Sequence, residues 1–239
     1  MLHVMLEILL WPICVAMMLM FSHVFRFVSV LGMAMKLQSL THCFPAQGQK
    51  CVFHFLAYNS IKKHDPLCMN NLGVCYAMGY GVGQCPRRAF LWYKQAAQRL
   101  CAQSMHSLGG CYYNGFGTNV NYEAAFNAFL QAVRYGSVKS ACFLGLMYSR
   151  GEFVTKSERR AYLWYRYGAL RGDCNAQYDY SICLRLGEGC NSAKAEADKW
   201  LAIAAENGSG EAKAAIDRIP EIAATGTVAS RRSQTAMAL

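Results

Sequence analysis

Residues 72–98 read LGVCYAMGYGVGQCPRRAFLWYKQAAQ, and the same chemistry returns in 108–132, LGGCYYNGFGTNVNYEAAFNAFLQA, and in 144–169, LGLMYSRGEFVTKSERRAYLWYRYGA. Gly79, Gly115, Gly151 and Gly187 stand 36 residues apart and keep the register. A fixed period of this length marks a solenoid, in which each unit buries its apolar face by stacking on its neighbours.

Reading the rows slot by slot gives two amphipathic helices per unit. Helix A carries Leu-Gly-x-x-Tyr (Leu72 to Tyr76, Leu108 to Tyr112, Leu144 to Tyr148) and ends at the glycines, which can adopt the positive φ required after a helix C-terminus. Helix B begins near Ala89 and places Ala89, Trp92 and Ala96 at i, i+3 and i+7, one face of a helix with 3.6 residues per turn. The second row sets Ala125, Ala128 and Ala132 in these slots, the third Ala161, Trp164 and Gly168. A looser fourth row has Ser181 for the glycine and Leu184 for the tyrosine but keeps Gly187, Gly189, Ala197, Trp200 and Ala204. The small residues permit close helix approach, while Trp and Tyr are expected to fill the space between rows.

The segments 72–98 and AYLWYRYGALRGD (161–173) resemble the Sel-one-like repeat (SLR), a relative of the tetratricopeptide repeat. The resemblance spans about residues 66–218 and implies an all-α, right-handed α-solenoid of helix-turn-helix repeats of 36 residues, serving as an adaptor or assembly scaffold, often near membranes. Phe153 departs from the pattern where a second turn glycine is usual, and so does Leu100 where a glycine would end the first row. Cysteine-rich members carry one disulfide per repeat at fixed spacing, and some are linked to penicillin binding or β-lactam hydrolysis. That regular spacing is missing here.

Outside the repeats the composition changes. Residues 8–25 carry no formal charge and are nearly all apolar. Eighteen helical residues reach about 27 Å, slightly short of the hydrocarbon layer of about 30 Å. Residues 1–36 are therefore expected to form an N-terminal hydrophobic helix acting as a membrane anchor, the alternative being a cleaved signal peptide, against which the absence of Lys or Arg before the apolar run counts. Arg26 and Lys36 follow the run, so the positive-inside rule puts the repeats on the cytoplasmic side of a single-pass protein. Residues 37–65 read as a linker and partial repeat, with Phe53, Leu56 and Ser60 in helix B slots; residues 66–219 form about four repeats; residues 220–239 lack periodicity and read as a flexible tail. The net charge of +10 is concentrated in residues 1–122, which carry nine Lys/Arg against Glu7 and Asp65. That excess suits an anionic lipid surface or simple solubility; no nucleic-acid motif accompanies it.

Twelve cysteines raise disulfide and metal readings. Cys75, Cys111 and Cys183 share a slot with Met147, which marks them as small apolar core residues, although Cys101 with Cys111 and Cys174 with Cys183 remain open as pairs. Cys43, Cys51, His54, His64 and Cys68 contain no Cys-x-x-Cys, so no metal site is expected. Gly79-Tyr80-Gly81-Val82-Gly83 imitates a phosphate loop, but its recurrence at Gly115-Phe116-Gly117 identifies a structural turn. Neither Ser-x-x-Lys with its supporting motifs nor Gly-x-Ser-x-Gly is present, and no catalytic residue or cofactor is expected.

The function expected is a membrane-tethered scaffold that binds a protein or peptide on the concave face of the solenoid, lined by helix A. The slots that vary between rows while their neighbours keep the core pattern are Asn70, Val74, His106, Tyr113, Leu146, Ser149, Tyr178, Ile182 and Arg185. The alternative is an exported cysteine-rich protein with penicillin-binding or β-lactamase-like activity.

Overall fold

The computed structural model describes residues 46–218, and the hydrophobic segment expected in 1–36 and the tail expected in 220–239 lie outside them. Among the described residues the secondary structure is entirely helical. The chain divides into two compact units at Ala89/Phe90.

The first unit holds α1 (Ala46–Tyr58), continued by a π-helical turn over Asn59–Lys63, then α2 (Pro66–Met78) and the start of α3 (Pro86–Gln98). Leu56 and Ser60 are buried, the Ser60 hydroxyl donating to Leu56 O at 2.7 Å, while Phe53 meets Tyr76 edge to face. Asp65 caps α2 by accepting from Leu67 N, and Pro66 occupies the first helical position, where its missing N–H costs nothing. Gly81 is required by contact as well as by its φ of 70°: a Cβ there would stand 2.3 Å from Gln49 O.

The second unit runs from Phe90 through α4 (Ala102–Asn114), α5 (Tyr122–Arg134), α6 (Lys139–Arg150), α7 (Glu158–Leu170), α8 (Cys174–Leu186), α9 (Lys194–Glu206) and α10 (Gly210–Arg218). Helix A of each row is α4, α6, α8 or α10, and helix B is α5, α7 or α9; each packs on the elements before and after it, as a solenoid requires. Helix B starts three residues earlier than Ala89 suggests, because Pro86 opens α3.

Two devices repeat in every row. Helix A ends on a left-handed glycine, with φ of 75°, 71°, 75° and 77° at Gly79, Gly115, Gly151 and Gly187. The loop is then latched by one amide returning to helix A: Cys85 N to Tyr76 O, Asn121 N to Tyr112 O, Ser157 N to Tyr148 O and Ala193 N to Leu184 O, all 2.8–2.9 Å.

Tryptophan lies between rows as expected, Trp164 packing against the cluster of Phe129, Leu144 and Met147 and Trp200 against Tyr180, but its neighbour goes deeper. Trp92, Trp164 and Trp200 are half-buried, whereas the next residue on each helix B is buried: Tyr93, Phe129, Tyr165 and Leu201. Phe129 and Tyr165 enter the gaps left by Gly109 and Gly145. Leu100 and Phe153 keep the left-handed backbone of the glycines they replace, with φ of 61° and 64°, so the fold imposes the conformation despite the side chain.

Candidate protein-binding face

In the second unit one side of helix A packs on helix B and the other stays open. Buried slots such as Ser140, Ala141, Leu144, Gly145 and Met147 define the packed side of α6. The open side is read from the slots between them: Lys139, Leu146 and Arg150 on α6, with Gln103, Ser107, Gly110 and Asn114 at the corresponding positions on α4, and Asn175, Ile182 and Leu186 on α8; Phe143 instead stacks on the Phe129 ring at 4.8 Å, and Asp179 turns toward Cys142.

The expected contact residues fall into two groups. Leu146 and Ile182 lie on the open side, half-buried, and so does Ser149, whose hydroxyl donates to Leu146 O at 2.9 Å. The others are engaged within the repeat stack. His106 shares a 2.9 Å hydrogen bond with Ser140 Oγ and is flanked by the Phe129 and Phe143 rings. Burial, aided by Lys139, lowers its pKa to about 4, so the imidazole is neutral at physiological pH. Tyr113 accepts a 2.9 Å bond from Arg150 Nη1, which also lies 3.7 Å from Glu152; burial and then Glu152 push the phenol up to about 12. Tyr178 packs against the cluster of Leu201, Ala204 and Ala212. Arg185 turns toward helix B, where Nη2 pairs with Asp198 Oδ1. In the first unit Asn70 is buried and Val74 half-buried.

The structure adds residues that the slot reading passed over. Cys142 Sγ donates to Asp179 Oδ2 at 3.1 Å, joining α6 to α8. Burial raises the Asp179 carboxyl to about 6, helped by Glu211 and Asp173 and opposed by the Cys142 bond; burial beside this carboxylate holds the Cys142 thiol protonated. Gly110 is the second addition. It sits mid-helix in the slot of Leu146 and Ile182, and a Cβ there would meet nothing within 4 Å. Gly109 beside it is explained by packing, since its Cβ would stand 2.6 Å from the Phe129 ring. The double glycine was the available signal, masked because the first glycine belongs to the repeat.

No group of His, Cys, Asp and Glu among the described residues could hold a metal ion. Cys68, Cys75, Cys85, Cys101, Cys111, Cys142, Cys174, Cys183 and Cys190 are free thiols, so the Cys101–Cys111 and Cys174–Cys183 pairs are not formed.

The family model of the Sel1 repeat matches residues 66–99, 102–133, 138–173 and 174–209. The chain is similar to a Sel1 repeat protein from Oxalobacter formigenes, with 27% identity and a TM-score of 0.65, covering 69% of this chain and 66% of that one. It is also similar to c5321, a protective antigen of uropathogenic Escherichia coli strains displaying an SLR fold, with 25% identity, a TM-score of 0.59, and coverage of 70% of this chain and 40% of that one. The immunity protein Pa5087 from Pseudomonas aeruginosa shares the fold at 18% identity and a TM-score of 0.51, over 69% of this chain and 60% of that one. This chain therefore spans less than two thirds of the length of these relatives. No curated protein matches it.

Proposed function

Because this chain belongs to the Sel1 repeat family, we propose that it is a non-enzymatic scaffold whose open helix A face, centred on α4 and α6, receives a protein or peptide partner. The observation that supports this most directly is Gly110. A glycine in a helix interior costs roughly 0.5–1 kcal/mol relative to alanine, and at the half-buried Gly110 no neighbour requires the missing Cβ. A residue that weakens its own helix and clears space on the open side suits close approach by another chain. Leu146, half-buried on the next helix, supplies apolar surface beside the clearing.

The test is a photo-crosslinker placed at Ser107 and, separately, at Leu146 in the full chain expressed in its own cells. A discrete crosslinked partner that is lost in Gly110→Leu, while the urea midpoint of the variant stays equal or rises, supports the reading. Absence of a crosslinked species, or a partner indifferent to Gly110→Leu, rejects it.

The non-enzymatic reading draws on thiol chemistry. Burial pushes Cys75 and Cys111 up to about 11 and Cys68 and Cys183 up to about 12, leaving these sulfurs poor nucleophiles. Turnover of a chromogenic β-lactam by the purified full chain would contradict it.

We further propose that residues 8–25 tether the scaffold to a membrane, with the repeats on the cytoplasmic side. No helix among the described residues is long and apolar enough to cross one, so this proposal rests on residues 8–25 alone. Membrane association that survives carbonate extraction and disappears on deleting residues 1–36 supports the tether; an N-terminus found after residue 30 identifies a cleaved export signal instead.

A further inference from the structure

Where helix B passes into the next helix A, the second unit presents a set of exposed residues. The first such turn carries Arg99 and Leu100, the second Arg134 and Tyr135, the third Leu170 and Arg171. Leu100, Tyr135 and Leu170 are exposed to 58%, 50% and 61%, and all three arginines are exposed. Arg171 lies over the Tyr167 ring at 3.8 Å, a stacking that leaves its charge intact.

These turns share one edge. Ser140, at the start of α6, bonds both Ser137 in the second turn at 3.1 Å and His106 on α4 at 2.9 Å. A Cβ on Gly168, before the third turn, would meet Ala141 at 3.6 Å and Ala176 at 2.6 Å, so the second and third turns are neighbours. Gln177 then bonds Ala169 O at 3.2 Å and Asn207 of the fourth turn at 2.9 Å.

Three contrasts give the edge meaning. Gly136, Gly172 and Gly208 occupy the left-handed position at the second, third and fourth turns, whereas the first has Leu100 there, strained and exposed. Basic residues dominate: Arg99, Arg134, Lys139 and Arg171 stand against Asp173, whose carboxylate caps α8. The fourth turn, Glu206-Asn207-Gly208, with Glu211 beyond it, is acidic and ends the basic stretch. On the opposite edge of the same unit the signs are mixed, with Arg150, Lys156, Arg159, Arg160 and Lys194 among Glu123, Glu152, Glu158 and Glu188.

We propose that this edge is a docking surface for an anionic lipid bilayer, with Leu100, Tyr135 and Leu170 entering the headgroup region and Arg99, Arg134 and Arg171 on lipid phosphates. Cations beside leucine and tyrosine at protruding turns match the chemistry of that interface, where each cation near an anionic surface contributes roughly fivefold in partition. A basic edge without apolar tips would suit an acidic protein equally; the exposed leucines and tyrosine favour the bilayer. Lys139 borders both surfaces, but the turn residues Leu100, Arg134, Tyr135, Leu170 and Arg171 lie off the open helix A face, so either can fail alone.

The experiment is amide hydrogen exchange on the full chain with vesicles of pure phosphatidylcholine and with vesicles containing 30% phosphatidylglycerol. The expected result is exchange slowed by about threefold or more at 98–101, 134–137 and 170–173 on the anionic vesicles only, reversed at high salt, with 206–209 and the opposite turns unchanged. The variant Leu100→Gly, Arg134→Gln, Arg171→Gln should lose this protection while its urea midpoint is at least that of wild type, which separates lost docking from lost folding. Equal protection on both vesicle types, protection elsewhere only, protection retained by the variant, or protection by an acidic polypeptide in place of vesicles overturns the proposal.

Discussion

A Cβ added to Gly145 would stand 2.5 Å from Cε1 of Tyr165, so the tyrosine ring fills the space that the glycine vacates. Gly109 and Phe129 make the same pair in the preceding row. In the fourth row the pair becomes Ser181 and Leu201, both buried: as the helix A residue gains atoms, the helix B residue loses its ring. The two slots are thus coupled through shared volume. Gly145→Ala is expected to destabilise by about 1–3 kcal/mol through overpacking, and Tyr165→Leu placed on top of it to recover part of that loss; urea unfolding of both variants measures the coupling.

Tyr165 is buried and Trp164 half-buried. Tyr165→Ala should therefore cost about 3–5 kcal/mol and Trp164→Ala clearly less, about 2 kcal/mol. Equal losses in denaturant titrations would mean that both rings fill the core alike.

Leu100→Gly should stabilise by roughly 1 kcal/mol, because the left-handed backbone costs glycine nothing and the leucine side chain buries little. A lower thermal midpoint for this variant would show that Leu100 packs more than its exposure implies.

Asp179 makes stability depend on pH with a definite sign. Its folded pKa is raised to about 6 by burial, so between about 4 and 6 the folded state binds more protons than the unfolded state, and stability falls as pH rises through this range. Asp179→Asn keeps an oxygen acceptor for Cys142, should flatten this slope, and should stabilise the protein at pH 7.5 by about 2 kcal/mol. Unfolding curves at pH 4.5 and 7.5 for both proteins decide it.

The buried thiols of Cys75, Cys111 and Cys183 should resist alkylation in the folded protein at pH 7 and react fully in urea without reductant. Cysteines that stay unreactive in urea until reduced would reveal disulfides.

The features legible in the sequence were those written in backbone conformation. Gly79, Gly115, Gly151 and Gly187 marked helix ends because a left-handed residue there favours glycine whatever surrounds it. The apolar faces of helix B were equally readable from spacing. Which of two adjacent aromatics, Trp164 or Tyr165, sinks into the core was not readable, because that depends on the angle at which helix B meets the Gly145 gap. For the binding face, Leu146 and Ile182 could be placed from their slots, but Arg185 could not: its partner Asp198 comes from helix B, and pairing follows side-chain direction rather than spacing. His106 varies between rows as a contact residue would, yet it varies because its bond to Ser140 is particular to that pair.

The latching amides, Cys85, Asn121, Ser157 and Ala193, each reach back only within their own hairpin. A block of 36 residues therefore brings its own fastening wherever it is inserted. Gain or loss of one whole block in descent leaves every other fastening untouched, so the reach of such a protein can lengthen or shorten by whole steps, with new chemistry needed only at the ends.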